Sequence, residues 1–526
     1  MQVFGNGVFI SCDEEDNVYS YMVVDRGEIV FLGDRLPEKY KGVKDYVDLE
    51  GKAVIPLMAD THVHFGSFAL FNFGLDVRYA QDFDEMRQII EEYEKRQKGK
   101  SNFLMGFGVS AHTVKEKKLP CRDDLDKMTR LPLLIVKYDG HAAVANSALV
   151  KKFPEEVKKA EGFEEDTGWL YMDAFYKGVN FVSSFIKPFS LIGKMIQAAD
   201  YMAKEGIGLI HAVEGNGFKN DADFDAVNFI TRAFPQYFRL YLQTMDVNKA
   251  RKRRLSRIGG CFATALDGCL GSEDAALLSP YSNNPANYGK LFYSQEEVNA
   301  FVQKAHRAHL QIALHAIGDA AIEQALNAFE AAIKDYPRFD HRHIIIHADL
   351  INKDQIVRAA ELKIHLAVQP AFLHWREEPA SYLEYILGDR AKKMLPFRDM
   401  FKAGLVLGGG SDAPCTLPHP LEGIGAACNH PDPEQRLNVR EALKMYTSWA
   451  ARLSFDEDIT GTLKAGRRAD FAVLDRNILG TAPEEIKDIK VWQTYFQGNH
   501  YKGLPFGPGK AVIRALLRRN DKCRSD

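Results

Sequence analysis

His62 and His64 are separated by one residue and follow the apolar run Val54–Ala59. On a β-strand, residues i and i+2 point to the same face, so both imidazoles would project from the end of one buried strand. Neutral imidazole is a common ligand of zinc and of related divalent ions. A lone pair with this spacing also arises by chance, so its interpretation as half of a metal site depends on further ligands downstream.

Three such ligands follow at the ends of other apolar segments. His315 and His347 each end an apolar segment, and Asp412 comes shortly after the segment Leu405–Gly409. Taken alone, either histidine could be a core residue that is hydrogen-bonded to the backbone, and Asp412 could cap a turn. Their joint occurrence, in order and at strand ends, favours a metal site over these alternatives.

The predicted ligands are therefore His62, His64, His315, His347 and Asp412. Several histidines with one carboxylate suit a divalent ion that keeps an open position for water, and zinc is the expected ion. The ion would lower the pKa of that water, and Asp412 would accept its proton and pass it to the leaving group. We expect a hydrolase in which Asp412 and His347 are catalytic.

A third candidate catalytic residue is His141, in the segment Asp139-Gly140-His141 that follows the apolar segment Leu133–Val136. Loops after strands line the sites of α/β barrels, so His141 would contact the substrate or polarise its carbonyl. The alternative is a loop histidine that holds the turn at Asn146. The sequence leaves both interpretations open.

Composition excludes several classes of partner. The 526 residues are 46% hydrophobic and 26% charged, which is typical of a globular protein. A formal net charge of -3 indicates neither nucleic acid nor an anionic membrane surface as a partner. The seven cysteines are scattered and lack Cys-x-x-Cys spacing, which favours a reducing compartment. Without an apolar leader or a membrane-spanning run, the sequence predicts a cytoplasmic protein.

The elements that must hold the candidate ligands alternate between short apolar strands and amphipathic helices, the pattern of a parallel α/β fold. In an α/β barrel, functional groups collect at the carboxyl ends of the strands, where these ligands fall. We predict a barrel over residues 56–455, with an insertion around 65–190 that covers the site. Short strands in residues 1–55 and 456–526 predict one β-sandwich from both termini, since neither end could bury a core alone.

Several segments resemble the amidohydrolase superfamily, and within it the YtcJ-like branch (amidohydrolase family 3), which includes N-substituted formamide deformylase. The matching segments are Val54–His64, Leu133–Leu149, Asp267–Tyr281, His315–Glu330, His343–Leu350, Gln369-Pro370, Gly409–Pro414 and Gly461–Leu474. The resemblance implies a distorted (β/α)8 TIM barrel, a β-sandwich from both termini, a divalent metal and hydrolysis of an amide-like bond. By position, it assigns the four histidines named above as metal ligands and Asp412 as the catalytic aspartate that also contacts metal.

One position departs from the pattern of the superfamily. Many relatives carry a lysine, four residues before the Asp-Gly pair that matches Asp267-Gly268, which bridges two metals when it is carboxylated; here that position is Ala263. Alanine cannot bridge, so the sequence favours one metal and leaves a second open. Lys137 is a possible bridging ligand, although a structural role is favoured for it, and Glu214 and Cys261 are the other candidates.

Three functions remain in competition. The leading one is metal-dependent hydrolysis of a C–N bond in a small molecule. Metal-activated water would equally serve an ester or a cyclic amide, and the missing lysine would suit a non-catalytic barrel that binds a ligand. A homo-oligomer is compatible with the sequence. Aromatic residues after strands, such as Phe372 and Trp375, would suit an apolar or aromatic substrate group, but packing of a large barrel is slightly preferred.

Overall fold

The computed structural model describes residues 1–97, 102–215 and 219–518. The chain begins with β1 (Gln2–Gly5), β2 (Val8–Ile10), β3 (Val18–Tyr19), β4 (Tyr21–Asp25), β5 (Glu28–Gly33), β6 (Tyr46–Asp48), β7 (Ala53–Pro56) and β8 (Met58–Val63). Next come α1 (Phe65–Asn72), β9 (Leu75–Asp76), α2 (Phe83–Gln97), β10 (Leu104–Val109), α3 (Arg122–Met128), β11 (Leu133–Lys137), β12 (Ala143–Ala145), α4 (Ser147–Val150), α5 (Glu155–Lys158), β13 (Trp169–Leu170), α6 (Met172–Ser183) and α7 (Pro188–Lys204).

Strands and helices then alternate regularly. They are β14 (Ile207–Glu214), α8 (Ala222–Ile230), β15 (Tyr237–Leu242), α9 (Val247–Lys252), β16 (Arg257–Ala265), α10 (Gln295–Arg307), β17 (Gln311–Ala316), α11 (Asp319–Asp335), β18 (Ile344–His347), α12 (Lys353–Glu361), β19 (His365–Val368), α13 (Ala380–Leu387), α14 (Phe397–Lys402) and β20 (Leu407–Gly409). The chain continues through α15 (Pro420–Cys428), α16 (Val439–Met445), α17 (Ser448–Leu453), β21 (Phe471–Leu474), β22 (Val491–Phe496), β23 (Asn499–His500) and α18 (Pro508–Leu517).

Eight parallel strands form the barrel. Their order is β8-β14-β15-β16-β17-β18-β19-β20, and a parallel bridge between Val63 and Ala413 brings the two ends of the sheet together. Helices between the strands cover the outside, and the apolar side chains of strands such as β17 and β18 are fully buried. The structure thus confirms the predicted α/β class and its distorted (β/α)8 barrel.

A separate five-stranded sheet, in the order β13-β12-β11-β10-β9, lies between the first and second barrel strands in sequence. Its strands fall within the residues predicted to form an insertion. This sheet carries Lys137 at the end of β11 and, in the following loop, Asp139 and His141. These three residues therefore come from the insertion and not from a barrel strand.

Strands from both ends of the chain build two further sheets. One has the order β5-β4-β1-β6, and the other, β23-β22-β21-β7-β2-β3, joins N-terminal and C-terminal strands through the antiparallel pair β7–β21. Apolar side chains including Phe4, Phe9 and Phe471 pack into one buried cluster there. The strands lie where a sandwich from both termini needs them, and the domain boundaries themselves stay predictions.

Candidate metal centre

His62 and His64 lie at the end of the first barrel strand. His62 is fully buried near the end of β8, and His64 follows β8 directly. A Cβ atom at Gly410 would come within 2.7 Å of the amide nitrogen of His62, so only glycine permits this approach of the last strand to the first. The amide of Asp412 donates to the carbonyl of His62 (2.8 Å), which fixes the two strand ends side by side.

Asp412 faces both histidines across this junction. Its Oδ1 lies 3.0 Å from Nε2 of His62 and 3.3 Å from Nε2 of His64. The backbone of Asp412 has φ +54°, a conformation that non-glycine residues rarely adopt and that tends to occur at functional sites. Asp60 stabilises the junction, since its carboxylate accepts the amide of Ser411 (3.0 Å) and the amide of His62 (3.2 Å).

His315 and His347 are each held in one tautomer. Nε2 of His315 donates to the carbonyl of Gly268 (3.1 Å), and Nδ1 is a buried nitrogen without a hydrogen-bond partner. Nδ1 of His347 donates to Oε1 of Gln369 (2.7 Å), and the amide nitrogen of Gln369 donates to the carbonyl of Ala367. When each ring is neutral, the nitrogen that does not donate carries the lone pair and can bind metal. Hydrogen bonds that support a ligand histidine in this way are common in metal sites.

Cys261 enters the site from an irregular part of β16. Gly260 pairs with Leu314 and the next pairing joins Ala265 to His315, so residues 261–264 bulge from the strand. Gly260 has φ +130°, and the preceding Gly259 lies so close to Ala313 that a Cβ atom there would collide with the carbonyl oxygen. The bulge places Sγ of Cys261 among the imidazoles.

Three groups of ligand atoms, each within 4.8 Å of one another, overlap at this point: His62, His64 and Cys261; Cys261, His315 and His347; and His62, His347 and Asp412. Sγ of Cys261 lies 3.3 Å from Nε2 of His62 and 3.8 Å from Nε2 of His347. Donors about 2.0 to 2.3 Å from a common tetrahedral ion are roughly 3.3 to 3.8 Å apart. The donor types and spacings fit a divalent metal.

The buried ionisable groups of this cluster shift one another's pKa. Burial by itself lowers the pKa of His62, but Cys261 and Asp412 raise it to about 10. Burial raises the pKa of the Cys261 thiol, and the charges of His62 and His315 lower it well below its usual value. The pKa of Asp412 is likewise raised by burial and lowered further by His62, so that it is well below the usual range. A buried thiolate and carboxylate thus lie among imidazoles.

A cavity of about 120 Å³ opens against these ligands. His64, Cys261, His315, His347 and Asp412 line it, and the remaining wall carries aromatic side chains and several carboxyl groups. Its apolar lining and few polar groups are typical of a small-molecule site. The geometry therefore combines a candidate metal centre with room for a substrate.

The three residues that the sequence offered as bridging ligands take different places. Cys261 belongs to two of the ligand groups. The ammonium of Lys137 lies 2.6 Å from Oδ2 of Asp139, a buried ion pair that keeps it protonated, whereas a metal-bridging lysine must first lose its proton. Glu214 lines the cavity and accepts the amide of Gly66 (3.0 Å), and it belongs to none of the ligand groups found in the described residues.

His141 lines the same cavity, with its ring centroid 6.2 Å from that of His315. It thus faces the candidate ligands from the inserted sheet, across the space where a substrate would lie. Asp267 has a structural place, since its carboxylate accepts the amides of Ile317 (3.0 Å), Gly318 (2.8 Å) and Ala276 (2.9 Å). Sequence reasoning did not single out Gln369 as the residue that orients His347.

Known proteins resemble the chain over nearly its whole length. A family model described as amidohydrolase family matches residues 45–500. The chain is 27% identical to the putative amidohydrolase YtcJ of Bacillus subtilis (strain 168), over 94% of this chain and 98% of that protein. It is 23% identical to N-substituted formamide deformylase of Arthrobacter pascens, over 92% of this chain and 95% of that protein.

Solved structures give the same result. An uncharacterized metal-dependent hydrolase from Pyrococcus furiosus superposes with a TM-score of 0.72 at 25% identity, covering 91% of this chain and 99% of that one. These matches confirm the resemblance found in the sequence and support a metal-dependent hydrolase as the class of this protein. In the described residues, no helix is long and apolar enough to cross a membrane.

Proposed function

The chain belongs to the amidohydrolase family, and from that premise we propose that it is a metal-dependent hydrolase of an amide-type carbon–nitrogen bond in a small molecule. The observation that carries the proposal is the convergence of four imidazoles, the thiol of Cys261 and the carboxylate of Asp412 at one wall of a cavity. The similarity to a formamide deformylase supports the choice of an amide bond.

We assign the metal ligands by the three overlapping groups. His62 and His64 would hold metal together with Cys261, His315 and His347 would do so with the same cysteine, and Asp412 would contribute with His62 and His347. Cys261 would then take the place of the bridging lysine that Ala263 lacks. Zinc is the proposed metal because thiolate and imidazole ligands in tetrahedral geometry suit it. When bound, such an ion supplies a Lewis acid that lowers the pKa of water and polarises a carbonyl.

Asp412 is the proposed proton carrier. Its carboxylate lies at the cavity wall and is held against His62 and His64, so it can accept a proton from the attacking water and deliver it to the departing nitrogen. His141, which lines the cavity near His315, would hold the carbonyl oxygen of the substrate. His347 would orient the reacting groups, since Gln369 fixes its ring.

The proposal is tested by metal content together with a substrate panel. Protein purified without chelator is expected to hold about two equivalents of zinc per chain by elemental analysis. The panel pairs N-substituted formamides and other N-acyl amines with the matching esters, and amide hydrolysis is expected to stop on chelation and to return with zinc. Asp412→Asn, tested on the same panel, is expected to bind metal and to hydrolyse none of the compounds.

Other results would change the proposed bond, the role of Cys261 or the class of protein. Faster hydrolysis of the esters or of cyclic amides would change the bond while keeping the metal centre. About one equivalent of metal would remove the shared role of Cys261. Absence of metal even after reconstitution, with no hydrolysis across the panel, would favour the non-catalytic barrel that binds a ligand.

A further inference from the structure

Carboxyl groups dominate the charged lining of the cavity. Six acidic residues line it: Asp139, Glu214, Asp223, Asp349, Glu378 and Asp412. No lysine or arginine side chain lines it within residues 1–97, 102–215 and 219–518. Metal ions at the proposed centre would balance Asp412 and the thiolate of Cys261, but they would not balance the wall that carries Asp139 and Glu378. A substrate that carries a carboxylate would find no lysine or arginine in the described lining to pair with.

The nearest cation to that wall is already occupied. Nζ of Lys137 donates to Oδ2 of Asp139 (2.6 Å), to Oγ of Ser272 (2.9 Å) and to the carbonyl of Gly271 (3.2 Å). An ammonium group has three N–H donors, so these contacts use all of them. Lys137 therefore neutralises Asp139 and has no hydrogen left for another carboxyl group.

Glu378 is the acidic residue on this wall without a cationic partner. Its side chain is buried, with 9% of the residue exposed, and Tyr138 donates its hydroxyl hydrogen to Oε1 at 3.3 Å. Within the described ranges it forms no salt bridge. Burial, reinforced by the charge of Asp139, raises the pKa of Glu378 to about 8. A cationic ligand in the cavity would stabilise the ionised form of this carboxyl group, because a buried charge is costly unless it is paired.

Two aromatic rings line the cavity together with Glu378 and precede it on the same loop. Phe372 and Trp375 stack with centroids 4.7 Å apart and planes 9° apart, and Phe372 is nearly parallel to the ring of His347, at 6.2 Å between centroids. Tyr138, which donates to Glu378, also contacts Trp375 at 5.2 Å between centroids, so one tyrosine connects the aromatic pair with the carboxyl group. Aromatic rings combined with a carboxylate form the usual site for alkylated ammonium groups.

We propose that Glu378, Trp375 and Phe372 form a subsite for a positively charged, alkylated ammonium group of the substrate. The carboxylate supplies the opposite charge, the rings cover the alkyl groups, and Tyr138 orients the carboxylate. This inference deepens the proposed function and rests on it, because it takes the cavity to be the substrate site. It defines the substrate class as amides with a cationic group on one side of the bond to be cleaved.

Binding of a matched pair of probes tests the subsite without any turnover. Choline carries a trimethylammonium group, and 3,3-dimethylbutan-1-ol is its uncharged carbon counterpart of the same shape. Calorimetric titration of the zinc-loaded protein is expected to show that choline binds at least about tenfold more tightly. Glu378→Gln is expected to remove that difference by weakening choline alone. Trp375→Leu should weaken both probes, and choline more.

Glu377→Gln is the matched control. Glu377 is the next residue, is also buried at 3% exposure, and lies 3.5 Å from Nε of Arg376 without lining the cavity. Its substitution removes one carboxyl group from the same segment and is expected to leave the preference for choline unchanged. An equal loss in both variants would mean that general charge, and not the subsite, attracts choline, and it would overturn the proposal.

The remaining outcomes separate this inference from the proposed function. Equal binding of the two probes, or tighter binding of 3,3-dimethylbutanoate, would overturn the subsite whether or not the protein hydrolyses amides. A clear preference for choline in a protein that hydrolyses nothing would retain the subsite and overturn the hydrolase. In the amide panel, a cationic amide is expected to have a kcat/KM at least about tenfold above that of its neutral counterpart.

Discussion

Histidines gather at both ends of the barrel, and the two clusters differ in how their ring nitrogens are used. At the carboxyl ends of the strands, the ligand cluster (His62, His64, His315 and His347) leaves nitrogens that face one another, Cys261 and Asp412. At the other end lies the backbone cluster (His306, His341 and His343), whose ring nitrogens all form hydrogen bonds with one another or with backbone groups. The comparison shows that residue type alone does not define a metal site.

The hydrogen bonds of the backbone cluster fix every tautomer. Nε2 of His306 donates to the carbonyl of Tyr336 and its Nδ1 accepts from Nε2 of His343, both at 2.7 Å. Nδ1 of His343 accepts the amide of Ile312 (3.1 Å). His341 accepts the amide of His343 (3.1 Å) and donates to the carbonyl of Leu362 (3.1 Å). No lone pair of these three rings remains for a metal, so this cluster contributes to stability.

Among substitutions at the two ends of the barrel, Asp412→Asn should have the largest effect on activity. Loss of the proton carrier is expected to lower kcat by about 10²- to 10⁴-fold, while most of the metal stays bound. Initial rates on a hydrolysed amide and elemental analysis measure both. Asp340→Asn, beside the backbone cluster and paired with Arg342, should leave rate and metal unchanged. Full activity of Asp412→Asn would disprove its role as proton carrier.

Cys261→Ala tests whether the ligand cluster holds two ions through one thiol. Because Cys261 belongs to two of the ligand groups, its loss is expected to lower the metal content from about two equivalents to one or fewer. Cys269→Ala is the control, since Cys269 lines the same cavity but belongs to none of the ligand groups identified in the described residues. The same metal content in both variants would show that Cys261 is not a ligand.

His343→Ala should lower the stability of the protein and leave its metal content unchanged. It would leave Nδ1 of His306 and the amide of Ile312 without partners. It would also remove a ring that stacks on Phe329, at 5.1 Å between centroids. Together these losses are expected to lower the unfolding free energy by about 3 kcal/mol. Urea unfolding of the metal-free protein measures this loss, and metal content should be unchanged. His347→Ala should instead lower the metal content. A loss of metal in His343→Ala would contradict the division between the clusters.

We expect acid to lower the stability of the protein through the backbone cluster. Burial, reinforced by the neighbouring His306, lowers the pKa of His341 to about 4, whereas an unfolded histidine titrates near 6.5. The unfolded chain therefore binds this proton first, so the stability from His341 is complete above pH 6.5 and is lost between about pH 6.5 and 4. The slope is at most about 1.4 kcal/mol per pH unit for this one group.

Unfolding free energy of the metal-free protein between pH 7.5 and 4.5 measures that slope. His341→Gln, which cannot titrate in this range, is expected to give a flatter curve. Identical curves for the two proteins would show that His341 does not govern the loss of stability.

Gln369→Leu should have the smallest effect. It removes the acceptor of Nδ1 of His347 and frees the tautomer without removing a ligand. Metal affinity is expected to fall by about 10- to 100-fold, as measured by competition with a chelator. Gln435→Leu, at a buried glutamine in a turn that does not line the cavity, is the control. An unchanged affinity in Gln369→Leu would mean that packing alone orients His347.

The sequence by itself determined the parts of this protein that depend on local pattern. Apolar segments ending in His64, His315 and His347 predict strands whose last residues face the site, because strand periodicity and the common edge of parallel strands are local rules. The alternation of apolar strands with amphipathic helices predicted the α/β class in the same way, and the family resemblance implied the barrel. Asp412 was found because it follows the last such segment.

Only the tertiary structure decided which of the remaining polar residues meet. Cys261 lies on a strand that its glycines make irregular, so its place among the imidazoles follows from the bulge between Gly260 and Ala265, which no periodic pattern encodes. Lys137 was the first candidate for a bridging ligand and Cys261 a further one, and the difference between them is that Lys137 pairs with Asp139 on an inserted sheet. Contacts between residues far apart in the chain depend on how the elements pack, and that packing settles their chemistry.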